Sequence, residues 1–490
     1  MGRIVKKHYL KITFGLESPL CVGSGKNEST DQDILLDNRG IPYIPGSAVA
    51  GVFREACKGL FEEDRDFKYY FGDAPINTGQ ENSGSEDEII ESRIVFFDAT
   101  LVEKEADVKI QKKPGYRISQ RDGVALNEYK NTKKHAKFDW EILEGDCTFR
   151  TFVEISQEEQ SKEACNVLWN IARLWKEADI RFGAKTTRGF GKIGGVEVLG
   201  RSFAFLPEAS LPKTSEEKEG SIEDWLKFDM FKDEAWRMEE SAEKNKIFSY
   251  DEIEKALKKG NWVLGKKKKL TLGLCLKGGL SIRRYTTEIT QEDSSLDHEQ
   301  MTTLTSQGEV PVIPGTTWAG AIGSRMEELL GESRIVKVTG PKKNEQTYHY
   351  FGAVEGKNKE KSLISFGESR LSGAKPKIMS RNAIDRFLGS TAEGALFTEK
   401  IYCGGSTTLE ISFSDPYYTA AYYSNDFKKA LAASLCDLHE GYLAIGGATS
   451  IGRGIFSVVE INGKKFAGKG AELFEKLYAI LQKLLDKKEE

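Results

Sequence analysis

Two short runs alternate apolar and polar residues or stay apolar: Tyr9-Leu10-Lys11-Ile12-Thr13-Phe14 and Leu270-Thr271-Leu272-Gly273-Leu274-Cys275. That patterning predicts strands with at least one buried face. A loop follows each run, then a turn with two prolines and a glycine, Pro42 to Gly46 and Pro311 to Gly315. Ser47 and Thr316 stand next, as expected N-caps of amphipathic helices. Val49, Val52, Phe53 and Ala56 form the apolar stripe of the first helix, and Trp318, Ile322 and Leu329 that of the second. More strands are predicted near 93–101, 138–154, 363–371 and 395–413. A further helix is predicted at about 158–176, through Val167, Leu168, Ile171 and Trp175, and its counterpart near 426–438. The order strand–helix–strand–strand–helix–strand is an α+β, ferredoxin-like (RRM-like) unit with insertions. Such a fold offers an open sheet face of the kind RNA-recognition modules use.

The unit occurs twice. Ile41-Pro42-Tyr43-Ile44-Pro45-Gly46-Ser47 returns as Val310-Pro311-Val312-Ile313-Pro314-Gly315-Thr316, an offset of 269. Tyr70-Phe71-Gly72 returns as Tyr350-Phe351-Gly352 at 280, and the segment at Phe97 as that at Gly367 at 270. Arg188-Gly189 pairs with Arg453-Gly454 at 265. Four collinear blocks with loop-sized drift mean tandem duplication. The expected division is a first domain over 1–206, a charged, partly helical connector over 207–265, and a second domain with a C-terminal helix over 266–490.

Composition adds a few bounds. Of 490 residues, 39% are hydrophobic and 30% charged, as in a folded globular chain. No apolar run reaches the ~20 residues of a membrane span, and no signal-peptide pattern opens the sequence, so a cytoplasmic location is expected. Seven dispersed cysteines without a Cys-x-x-Cys pair predict neither a disulfide frame nor zinc. The net charge of −4 conceals opposed segments: residues 109–137 hold nine Lys/Arg against two Asp/Glu, and residues 215–245 five against eleven. The first is either a solvated loop or, if gathered on one face, an RNA surface.

Closely spaced glycines allow backbone N–H groups to approach a phosphate, with Arg and Lys adding charge. Two segments qualify, Gly183-Ala184-Lys185-Thr186-Thr187-Arg188-Gly189-Phe190-Gly191-Lys192 and Gly446 to Gly454 with Arg453. A ligand-free hairpin is the plain alternative. The Pro-Gly turns read equally as architecture or as helix N-termini that receive anions at Gly46 and Ser47, Gly315 and Thr316.

These features resemble the RAMP superfamily (repeat-associated mysterious proteins). They are the opening loop Val22-Gly23-Ser24-Gly25, the Ile-Pro-Gly-Ser turn with Arg54 in the following helix, and the closing Thr-Arg-Gly-Phe-Gly-Lys loop. Within it they resemble the backbone (Cas seven-like) subunits of type III CRISPR effectors. Residues from Arg117 through Arg121 to Glu141 look like that family's "thumb" hairpin, and those from Arg381 to Phe387 like its second copy. The resemblance implies guide CRISPR RNA, target RNA and other effector subunits as partners. It further implies RNA contacts at Gly23, Ser24, Gly46, Ser47, Arg54, Arg117, Arg121, Lys185, Arg188, Gly189 and Lys192, and at Gly315, Thr316, Arg381, Arg453 and Gly454.

In that family an Asp in the loop before the Pro-Gly turn cuts the target RNA. Here the resemblance places Asp31 at that position with Asp33 as the alternative, because Asp33 stands where the family has Pro. A carboxylate suits this chemistry, either assisting proton transfer or holding Mg²⁺ or Mn²⁺ at Asp31. A solvated Asp-rich loop is the plain alternative. In the second half, counting at 269 puts Gln300 opposite Asp31, with Asp297 and Glu299 as weaker acidic candidates. An RNA-binding second half without a cutting site is therefore expected. Two rivals remain: a subunit that binds RNA or caps a filament without cutting, and a His-dependent guide-processing nuclease, disfavoured by the five scattered histidines.

Overall fold

The computed structural model describes residues 3–25, 32–58, 60–61, 63–73, 90–102, 116–126, 132–159, 164–205, 220–237, 247–257, 268–284, 296, 298–305, 308–330, 335–339, 345–355, 358–414 and 423–486. In the first copy the elements are β1 (Ile4–Leu16), α1 (Gly46–Cys57), β2 (Ile94–Phe96), a hairpin of β3 (Ile118–Leu126) and β4 (Thr132–Leu143), β5 (Thr148–Glu158), α2 (Ala164–Glu177) and β6 (Ile193–Ala204). Between the copies lie α3 (Ile222–Lys227) and α4 (Tyr250–Ala256). The second copy has β7 (Lys268–Lys277), α5 (Gly315–Leu330), β8 (Ile364–Phe366), a hairpin of β9 (Lys375–Ile384) and β10 (Thr391–Cys403), β11 (Ser406–Phe413), α6 (Asn425–Glu440) and β12 (Ile455–Ile461), then α7 (Gly470–Leu485).

Both sheets are antiparallel and ordered alike, β6-β1-β5-β2 and β12-β7-β11-β8. With one helix crossing after the first strand and another after the third, each is the β-α-β-β-α-β unit read from the sequence. Registers align the copies residue by residue. Leu10 opposes Val153 as Leu270 opposes Ile411, and Leu16 opposes Ile193 as Leu276 opposes Phe456. The offsets are therefore 260 for the first strand, 258 for the third and 263 for the last.

Alternation decides which face is core. Leu10, Ile12 and Phe14 point into the first core and Leu270, Leu272 and Leu274 into the second, all fully buried. Phe53 of α1 meets Trp175 of α2 at 4.7 Å, and Trp318 of α5 meets Phe456 of β12 at 5.6 Å. Each such side chain contributes about 1.5–3 kcal/mol by burial. In α7, Leu473, Leu477, Leu481 and Leu485 repeat at i+4 and are buried in the second core.

Three local readings shift. Ser47 and Thr316 are not caps: α1 and α5 begin at Gly46 and Gly315, and at α1 Pro45 occupies the N-cap without a side-chain bond. Instead Gly46 N–H donates to Asp98 Oδ1 at 2.6 Å, satisfying a donor the helix leaves open. Of the helix expected at 158–176, Ala164–Glu177 is described, and its expected start at 158 is strand, because pairing with β1 keeps β5 extended through Glu158. The connector packs onto the first copy: Phe248–Ser249 adds to β6, and Ile253 of α4 lies in the first core.

The copies dock through charge pairs, one group of them buried. Arg121 pairs with Glu368 and lies 3.6 Å from Glu144, whose other neighbours include Thr303 Oγ1 at 2.5 Å. Arg370 Nη1 meets Asp146 at 3.1 Å. No helix among the described residues is long and apolar enough to cross a membrane.

Candidate nucleic-acid interface

The closing loops share one backbone conformation. Left-handed φ values fall at Gly183, Lys185, Gly189 and Gly191, and again at Gly446, Ala448, Gly452 and Gly454, each time 263 residues on. A short 3-10 turn sits between, Thr186–Arg188 and Thr449–Ile451. At the last glycine of each loop a side chain is excluded: a Cβ would stand 1.9 Å from Phe182 O at Gly191 and 1.8 Å from Ile445 O at Gly454. This register corrects the Arg-Gly pairing from sequence. Arg188 corresponds to Ile451, and Arg453 to Phe190.

That shift alters what Arg453 does. In the first copy Phe190 packs with Trp140, and Arg121 lies 5.7 Å above the Phe190 ring. In the second copy the same three positions hold Arg453, Glu399 and Met379. Arg453 Nη1 meets Glu399 Oε2 at 2.5 Å, and Nη2 lies 3.9 Å from Met379 Sδ. One copy supports its hairpin base with rings and the other with an ion pair. Burial alone would raise the Glu399 carboxyl, but Arg453 and Arg381 hold it below the usual range.

Several residues expected at RNA are therefore committed elsewhere. Arg121 and Arg453 are buried, so neither guanidinium faces solvent. Burial opposes charge on Arg121, yet Glu368 and Glu144 outweigh it and raise its pKa. Arg54 donates to Phe71 O and Gly72 O at 2.6 and 2.7 Å, closing the helix Asp64–Phe71. Arg381 pairs with Glu399 at 2.5 Å, and Lys192 with Glu410 and Glu17 at 3.2 and 3.3 Å. Lys185 sits 3.8 Å above the Trp140 ring. Gly189 is buried against the second copy, whereas Arg117, Arg188, Ser47, Thr316, Gly23 and Ser24 are exposed. Gly46 and Gly315 are buried at the starts of α1 and α5, and Gly454 is buried in the closing loop.

The acidic loops also come into register. Gly23 pairs with Ile34 and Arg283 with Gln300. Leu35 N–H donates to Val22 O at 2.8 Å, as Met301 N–H does to Ile282 O at 2.7 Å. Gln300 thus corresponds to Ile34 and not to Asp31; its buried amide binds Ile282 N, Met301 O and Val312 O. Asp33 corresponds to Glu299. Two residues ahead of them stand Asp31 and Asp297, both outside the described residues, so the chain reads Asp31-Gln32-Asp33 in one copy and Asp297-His298-Glu299 in the other.

Each loop lies on the base of its hairpin, where sequence reasoning missed one position. Glu141 N–H donates to Gln32 O at 2.9 Å, and its Oε2 accepts from Ile34 N–H at 3.1 Å. Leu20 bridges Leu143 as Leu280 pairs with Tyr402, so Glu141 corresponds to Lys400. Lys400 Nζ meets Glu299 Oε1 at 2.8 Å. The first loop therefore has a second carboxylate beside it, and the other an ammonium. The tip of the second hairpin, in the segment likened to the thumb, exposes the apolar residues Ile384, Phe387 and Leu388.

A family model described as RAMPs, the RAMP superfamily, matches residues 13–194 and again 278–457. The chain belongs to the RAMP superfamily. Its two RAMP units are the two copies described above. Among solved structures, a chain of the type III-B Cmr-beta complex in the apo state aligns at 13% identity and a TM-score of 0.29, covering 38% of this chain and 95% of that one. A chain of Cmr-beta bound to cognate target RNA aligns at 13% and 0.28 with the same coverage. No curated protein matches.

Proposed function

We propose that this protein is a backbone subunit of a type III CRISPR ribonucleoprotein, which binds guide RNA and target RNA beside other subunits and cuts the target at the first acidic loop. The observation that carries the reading is the recurrence, in each RAMP unit, of an acidic residue, Asp33 or Glu299, on a short strand at the base of a long hairpin. The RNA's 2′-OH attacks the adjacent phosphorus in line and the 5′-oxygen leaves. A carboxylate of Asp31, or of Asp33, takes the attacking proton or orients the sugar. The donors suit Mg²⁺ or Mn²⁺, which bind through one or two carboxylates plus phosphate oxygens. Asp31 would hold the ion, which would supply charge stabilisation at the phosphate. Exposed Arg188, Arg117 and the turn at Ser47 remain as backbone contacts to RNA.

Reconstituted complexes carrying Asp31→Ala, Asp33→Ala or Asp297→Ala test this. The expected outcome is loss of one target cut in the Asp31 variant with target binding retained. A subunit that only binds RNA leaves the cleavage pattern unchanged in all three, and that result would overturn the cutting role.

A further inference from the structure

The outer face of the second sheet, opposite its helices, is a seat for the first copy's closing loop. Glu410 on that face accepts from Arg181 Nη2 at 3.0 Å and Lys192 Nζ at 3.2 Å. Gly189 lies so close that a Cβ there would be 2.4 Å from Glu368 N, and one at Gly315 would be 2.4 Å from Arg188 O. A RAMP loop docks on a RAMP sheet.

The same seat can be located on the first copy, since the backbone repeats. Phe97 N–H donates to Phe152 O at 3.0 Å as Gly367 N–H donates to Glu410 O at 2.9 Å. Glu410 therefore corresponds to Phe152, Lys269 to Tyr9, Thr271 to Lys11 and Gly367 to Phe97. That seat is filled by the chain's own connector. Phe231 lies 5.4 Å from Phe152 and 5.9 Å from Phe97, and Phe228 lies 5.1 Å from Tyr9. Trp236 is 6.2 Å from Phe152. Trp225 Nε1 donates to the Tyr9 hydroxyl at 2.8 Å, and Asp233 takes Lys11 at 2.5 Å and Arg150 at 2.7 Å. Tyr9 and Phe152 are buried as a result.

We propose that residues 220–237 are a built-in end-stop, occupying on the first copy the seat that on the second receives a RAMP closing loop. The block is double. An incoming loop must displace an aromatic cluster, and the carboxylate that would hold its Arg and Lys is replaced by Phe152 beside Lys11. Cations set there would be desolvated beside Glu154 alone, a carboxylate already paired with Lys7 at 2.5 Å. The inference needs only the RAMP duplication, so it stands or falls separately from RNA cutting.

The second copy's own loop offers a probe. It exposes Ile451, with open space at Gly452, and its counterparts of Arg181, Arg188 and Lys192 are Ala444, Ile451 and Ile455. An uncovered first-copy seat, apolar at Tyr9, Phe97 and Phe152, accepts such a loop from another chain. The test is sedimentation velocity of the full chain at fixed concentration. Wild type is expected to sediment as a monomer, while Phe228→Ser/Phe231→Ser/Trp236→Ser forms dimers and longer chains. Adding Ile451→Asp is expected to return it to monomer. Should the triple variant not fold, Asp233→Lys opens the same seat by repulsion from Lys11 and Arg150. An uncapped chain that stays monomeric overturns the proposal. So does association indifferent to Ile451→Asp, or a chain carrying only Lys11→Cys and Ile451→Cys, its connector intact, that forms a disulfide between chains at those two positions.

Discussion

Arg121→Met tests whether the docked copies depend on one buried ion pair. Side-chain exposures are 5% for Arg121, 3% for Glu368 and 5% for Glu144, so the substitution strands two carboxylates away from water. Glu144 keeps hydroxyl donors from Ser119 at 2.6 Å and Thr303 at 2.5 Å. Glu368 loses the guanidinium that met both its oxygens. Removing one partner of a buried pair costs about 3–5 kcal/mol, against ~1 kcal/mol or less for an exposed pair. Methionine already stands at the equivalent second-copy position, Met379, so backbone and volume tolerate it. Urea unfolding followed by tryptophan fluorescence should show the loss as a midpoint lowered by roughly 1 M or more, with the copies separating before each unfolds. Adding Glu368→Gln should restore a large part of it, since the stranded charge is then gone. A loss below ~1 kcal/mol at neutral pH, or one unmoved by Glu368→Gln, would refute the reasoning.

Gly454→Ala should cost about 3 kcal/mol or more, because its Cβ would stand 1.8 Å from Ile445 O, whereas Gly373→Ala, at a similar φ with open space, should cost roughly 1–2; thermal melts rank the two. Burial holds His8 at about 4, below its usual 6.5. The unfolded chain therefore takes up that proton first, and stability falls by up to about 3 kcal/mol as pH drops from 6.5 to 4. His8→Gln should flatten that window in a pH series of melts, and an unchanged profile would assign the loss elsewhere. Lys400→Glu, which gives the second acidic loop the carboxylate the first has in Glu141, should add a target cut in a reconstituted complex; sequencing the product ends checks it.

The repeated unit was legible because its signals are local. Strand periodicity, paired prolines and closing glycines each report the conformation of a few neighbouring residues. Register was not legible, because insertions between blocks differ in length. Counting at the Pro-Gly offset of 269 set Gln300 against Asp31, while the loops align at 266, and the Arg-Gly match slid by two residues from 263. Hydrogen-bond partners and left-handed positions carry that alignment, and neither leaves a residue-type signature at Lys185 or Ala448. The fate of the arginines was still less readable. Arg121 and Glu368 lie 247 positions apart, and only docking of the copies buries them. A basic residue in an RNA-binding motif looks the same in sequence whether it meets phosphate or a carboxylate.

The two copies differ by substitution at equivalent points more than by architecture. Where the second sheet offers Glu410 to a loop, the first offers Phe152 to the connector. Where the first hairpin base stacks Phe190 on Trp140, the second joins Arg453 to Glu399. Where the first acidic loop has Glu141 bound to the Ile34 N–H, Glu299 has Lys400. The last contrast bears on any divalent ion: a second carboxylate strengthens the local negative potential that draws a cation, and an ammonium paired to Glu299 at 2.8 Å competes with it. Asymmetry between the acidic loops thus follows from one residue on each hairpin base. It does not require that the second loop has lost its acids, since Glu299 stands in the register of Asp33 and the sequence has Asp two residues ahead of each.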